Sequence, residues 1–129
     1  GPGGFRFFGA TFDPTPLYRA VFVLRWMTQR GLGPDELREA SLLRTERILE
    51  RYDQLELRAR GLGLATPRTP NARGPFIALR HPRAVQLSRS LRARGIHTDA
   101  RQDLLRLGPA PYTTTAEIDR ALGTLAELI

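Results

Sequence analysis

The residue types that could do chemistry are few in this chain. Its 129 residues include no Cys and no Lys. Thiol catalysis, disulfides, Cys-ligated metals and a lysine Schiff base are therefore excluded within it. Two histidines, His81 and His97, are too few for a histidine metal cage. His81 precedes Pro82 and reads as part of a helix start; His97 reads as part of a strand. Ser41, Ser88 and Ser90 fall on helix faces and lack the strand–turn–helix context of a nucleophile elbow. Asp99 and Asp103 flank an arginine-rich turn, which suits a solvated ion-pair cluster better than an acid/base pair. Arg106 stands apart. It lies at the end of a short apolar strand, just before the Gly108-Pro109 break. A guanidinium placed there can offer a planar fork to a carboxylate. The same spacing also suits an arginine paired with a surface acid.

Several elements must position these groups. Asp13-Pro14 signals a helix start, an acidic cap followed by proline at the first helical position. That helix runs to about Arg30 and stops at Gly31. Leu17, Ala20, Val21, Phe22, Val23, Leu24, Trp26 and Met27 cover most of its circumference, so it is expected to lie against another domain or subunit. Gly33-Pro34-Asp35-Glu36 begins a second helix, with Leu37, Ala40, Ser41, Arg44, Ile48, Tyr52 and Leu55 on its inner face. Its signal fades near Gln54. A turn and a short strand fit Leu57 to Ala65, and residues 66–75 read as a surface loop. Phe76 to Leu79 reads as a strand. A third helix opens at Pro82, carries Val85, Leu87, Ser88 and Leu91, and closes at Gly95. Ile96 to Arg101 and Leu104 to Leu107 are two further strands around a polar Gln102-Asp103 turn. Thr114 with Glu117 is a capping box for a last helix, with Ile118, Ala121, Leu122, Leu125 and Ile129 inward. The order predicts an α+β layer: a small, mostly antiparallel sheet covered by helices. One domain of residues 1–129 is the expectation, with 1–13 as lead-in, 14–56 as two helices and 57–129 as the sheet-and-helix part.

Composition narrows the class. Hydrophobic residues make up 41% and charged residues 26%, as in soluble globular chains. All 20 basic residues are Arg, against 13 acids, giving a net charge of +7. Such a balance can serve nucleic acid or acidic lipid. Arginine in place of every lysine, alongside abundant Ala, Leu, Gly and Pro, points rather to a GC-rich coding bias. The apolar stretch from Leu17 to Met27 is short and carries Arg19 and Arg25, too charged to span a bilayer. No signal-peptide pattern opens the chain, so a cytoplasmic location is expected.

The segment from Gly95 to Thr114 resembles the C-terminal motif of class V aminotransferase-fold enzymes that use pyridoxal phosphate (PLP), kynureninase-like proteins above all. The shared pattern is Gly-hydrophobic-x-x-Asp-x-Arg, a turn, then hydrophobic-Arg-hydrophobic-x-Pro-x-x-Tyr-x-Thr. Arg6-Phe7-Phe8-Gly9-Ala10-Thr11-Phe12 is similar to the family's Arg-Phe-x-Gly-Gly-Thr-Pro stretch. Leu37-Arg38-Glu39-Ala40-Ser41-Leu42 and the Arg73 to Leu79 strand match in the same order. The resemblance implies the small domain of a fold-type I PLP enzyme. It assigns the substrate's α-carboxylate to Arg106. It assigns the cofactor phosphate, across a dimer, to Thr11 with the backbone of Gly9 and Ala10. Asp99 and Arg101 fill the Asp-x-Arg positions as structural residues. Ala10 and Phe12 depart from the pattern, and a methyl at Ala10 restricts positive φ. No catalytic residue of the family falls in this chain. The implied partners are an N-terminal large PLP domain, a second subunit of a homodimer and an amino-acid substrate. The implied reaction is hydrolytic Cβ–Cγ cleavage of kynurenine, in a cytoplasmic enzyme of tryptophan catabolism. The same scaffold hosts aminotransferases, desulfurases and lyases. From another class, a stand-alone basic binding module or a pseudoenzyme domain also fits +7 and the arginines at 89, 92 and 94. No aromatic residues interleave those arginines, which argues against nucleic acid.

Overall fold

The structure, a computed structural model, describes residues 3–4 and 13–129. Two compact units divide the chain, Gly1–Glu36 and Leu37–Ile129. In the first, helix α1 spans Thr15–Gln29. The Asp13 carboxylate accepts a hydrogen bond from the Thr15 N–H at 2.9 Å and caps it. Gly31, at φ +64°, lets the chain leave the helix in a conformation side chains resist. Its apolar side chains are exposed, Phe22 at 71% and Trp26 at 52%. The Arg30 guanidinium stacks 5.6 Å from the Trp26 ring centroid.

Helix α2 spans Pro34–Gln54 and runs from Leu37 onward in the second unit. There follow β1 (Gly63–Leu64), a 3-10 turn at Pro70–Ala72, β2 (Ile77–Arg80), α3 (Ala84–Ala93), β3 (Asp99–Arg101), β4 (Leu104–Leu107) and α4 (Thr115–Glu127). This is the expected order of elements. The four strands form one antiparallel sheet in the order β1-β2-β4-β3. The α+β reading therefore holds.

Alternation along the strands sorts the side chains. Ile77 and Leu79 of β2 and Leu105 and Leu107 of β4 point to one face and are buried. Helix α2 covers them with Ile48, Leu49 and Tyr52, α3 with Ala84, Leu87 and Leu91, and α4 with Ile118, Leu122, Leu125 and Ala126. Each fully buried leucine contributes about 1.5–3 kcal/mol. Tyr52 also donates its hydroxyl to the Leu62 carbonyl at 2.6 Å, fixing the chain between α2 and β1. Burial pushes that phenol's pKa up.

Some boundaries differ from the sequence reading. Thr45 and Leu49 join Ile48 and Tyr52 on the buried face of α2. In α3 Ala84 is buried while Val85 is 39% exposed. Residues 96–98 are not strand; β3 begins at Asp99, and His97 is exposed just before it. The expected caps are present. Gly95, at φ +76°, closes α3, and the Ile96 N–H reaches back to the Leu91 carbonyl at 2.9 Å. Thr114 and Glu117 exchange both bonds of the capping box. Among the described residues no helix is long and apolar enough to cross a membrane.

Candidate functional site

Opposite the core, the same strands carry a different set of side chains. Ala78, Arg106 and Asp99 stand in one row across β2, β4 and β3, and Arg80, Leu104 and Arg101 in the next. Pairing Arg101 with Leu104 and Asp99 with Arg106 follows from a two-residue Gln102-Asp103 turn, where Gln102 adopts φ +54°. Three guanidinium groups thus share this face with Asp99, and Asp103 reaches Arg80 from the turn.

Arg106 is the least exposed of the three, its side chain 31% accessible against 60% for Arg80 and 76% for Arg101. Its Nη2 donates to Asp99 Oδ2. Its Cζ lies 5.6 Å from the Phe76 ring centroid, so an aromatic face backs the cation. Arg101 Nε lies 3.8 Å from the same Asp99 oxygen. Asp99, read from the sequence as structural beside Arg101, therefore has Arg106 as its closer partner. Nε and Nη1 of Arg106 donate to no protein group among the described residues.

Behind the strand, arginines hold the loops by their carbonyl oxygens. Arg44 donates from Nε to Thr113 at 2.9 Å, from Nη1 to Ala40 at 2.8 Å and from Nη2 to Pro111. This clamp fixes residues 108–114, which follow Arg106 in the chain. Arg38 binds the carbonyls of Arg73 and Pro70 in the same way. Arg73, only 1% exposed at its side chain, pairs with Glu46 and donates to Thr45 Oγ1 at 3.2 Å, securing the approach to β2 and Phe76. The sequence reading placed Arg44 on the inner face of α2 but gave none of the three a bonding role. Proline and glycine at 108, 109 and 111 are the signal that such a loop needs external donors.

A cavity of about 190 Å³ lies elsewhere, between Ile48, Ile96, Leu107, Ile118 and Leu122, with His97, Glu117 and Arg120 at its margin. Arg106 does not line it. The described residues hold no group of three or more side chains suited to a metal.

Gly9, Ala10 and Thr11, the expected phosphate contacts, lie outside the described residues. With no lysine in the chain, it has no side chain to form a Schiff base with PLP, and by itself does not fit that cofactor. No curated protein matches the chain. The family model of the kynureninase C-terminal domain matches residues 37–125, from the first turns of α2 almost to the end of α4.

Proposed function

The chain belongs to the kynureninase C-terminal domain family, and on that premise we propose that it is the substrate-carboxylate half of an active site completed by a PLP-binding large domain. The family implies PLP in the full-length enzyme, where it supplies an electron sink for bonds at the amino acid's α-carbon. This chain's contribution is positional. Arg106 binds the α-carboxylate through two parallel N–H bonds and fixes where the rest of the substrate lies.

The observation that carries this reading is the state of Arg106. It is a half-covered cation on the polar face of the sheet, backed by an aromatic ring, with most of its donors uncommitted. A purely structural arginine is used up, as Arg44 is on three carbonyls. Gly9, Ala10 and Thr11 would reach the cofactor phosphate of the partner subunit in a homodimer. The exposed apolar side chains of α1 would be covered by the large domain or the second subunit. The reaction supported by the family is hydrolytic Cβ–Cγ cleavage of kynurenine to anthranilate and alanine. The chain alone is inactive.

Replacement of the fork by a point charge tests this. In the complete enzyme, Arg106→Lys should weaken substrate binding by about 1.5–3 kcal/mol, the range for a charged hydrogen bond. An unchanged KM for kynurenine would remove Arg106 from the site.

A further inference from the structure

We propose that Asp99 and Phe76 are positioning residues that present the Arg106 fork to the substrate carboxylate, with Arg101 as the counter-charge that makes this possible. This rests on the reading of Arg106 given above. A guanidinium has five N–H donors, and a bidentate carboxylate needs two. Asp99 takes one, at Nη2. Phe76 backs the guanidinium, its ring centroid 5.6 Å from Cζ. The ring itself is bounded by glycines: a methyl at Gly108 would lie 3.6 Å from Phe76 Cβ, and one at Gly74 3.8 Å from its Cε1. On β2 the direct neighbour of Arg106 is Ala78, whose methyl reaches no further than the root of the arginine side chain. The fork is therefore held at one nitrogen and supported by a ring. The second Nη2 hydrogen, with the Nε or Nη1 hydrogen parallel to it, is left to a ligand.

A carboxylate beside the clamp would ordinarily repel an incoming carboxylate. Arg101, 3.8 Å from the same Asp99 oxygen, offsets that charge. Asp99 sits between two guanidinium groups, and the cluster keeps one net positive charge for the substrate. The pair itself adds little to stability, because Asp99 is 53% exposed at its side chain. Its value lies in orientation: an arginine without it swings through several rotamers, and ordering it would weaken binding.

The test compares L-kynurenine with its carboxamide in the PLP-loaded enzyme that carries this domain, for Asp99→Ala, Arg106→Gln and the double variant. The acid-over-amide preference should fall on the order of tenfold in Asp99→Ala, less than the hundredfold an ångström of misplacement can produce. KM should rise more than kcat falls. Arg106→Gln should abolish the preference, and the double variant should match it. A general structural defect would weaken acid and amide alike. If Arg106→Gln leaves the preference intact, the reading of Arg106 itself fails. If Arg106→Gln removes it while Asp99→Ala leaves or raises it, the positioning role alone fails. Should Asp99→Ala misfold, Asp99→Asn keeps the size and one acceptor, and the preference should fall by a smaller factor. On the 129-residue chain, the NMR signal of Arg106 Nε–H should show faster guanidinium rotation in Asp99→Asn. Unchanged rotation would overturn the pinning.

Discussion

The two faces of the sheet are built from alternate residues of the same strands, yet they answer to different physics. On one, Ile77, Leu79, Leu105 and Leu107 are buried under three helices and admit only apolar side chains of fitting volume. On the other, Arg80, Arg101, Arg106 and Asp99 meet solvent and hold one another by charge. A substitution on the first face tests whether the chain folds; one on the second tests what it binds. The arginines divide the same way. Arg44, Arg38 and Arg73 are spent on backbone carbonyls and, for the buried Arg73, an ion pair with the exposed Glu46, whereas Arg106 retains free donors.

That contrast can be broken or sharpened by stability measurements. The largest effect belongs to Leu105→Ala, at a fully buried position. It should destabilise the chain by about 2–5 kcal/mol, lowering Tm by roughly 10 °C or more. A loss below about 1 kcal/mol would mean that the helix-covered face is not the core. Thr114→Ala removes the capping hydroxyl of α4 and should lose about 0.5–2 kcal/mol in denaturant titration. Arg106→Gln, one residue from Leu105, should shift stability by less than about 1 kcal/mol, since its partner is exposed. A larger loss would make Arg106 a structural residue.

The smallest effect is with pH. Hydrogen bonds from Arg47 hold the Asp119 carboxyl below its ordinary range, those from Arg68 do the same for Asp53, and the Thr114 cap does it for Glu117. A carboxyl whose folded pKa is depressed stabilises the fold above its unfolded pKa, near 3.8 for Asp and 4.5 for Glu. That stabilisation is lost as pH falls through the lower folded value. Tm should therefore be level from pH 7 to about 5 and fall below about 4. Asp119→Asn should make the fall shallower; an identical acid profile would show that the Arg47–Asp119 pair does not stabilise the fold. All three carboxyls sit on α2 or α4, so acid should loosen the helices first.

Much of this was legible in the residues, and the gaps have physical causes. Caps are local, so Asp13, Gly31, Gly95 and the Thr114–Glu117 box could be read directly. The Asp99–Arg106 pairing was also legible: a two-residue turn at Gln102-Asp103 places 99 opposite 106. Reading Asp99 as one member of a solvated cluster around that turn, structural along with Arg101, left this pairing undrawn. Phe76 was not legible as a partner of Arg106, because β2 and β4 pair with all of α3 and β3 lying between them in the chain. Arg73 was hidden for a different reason. A buried arginine has no periodic signature, and its partners Glu46 and Thr45 lie on a helix distant in sequence. The expected contacts of Gly9, Ala10 and Thr11 lie outside the described residues.

The most direct test is a crystal structure of the complete enzyme with an unreactive amino-acid analogue bound. The carboxylate should sit about 2.7–2.9 Å from two nitrogens of Arg106, with Asp99 still bonded to Nη2. A carboxylate held by other residues, with Arg106 engaged by Asp99 alone, would contradict the assignment of the open sheet face to substrate binding.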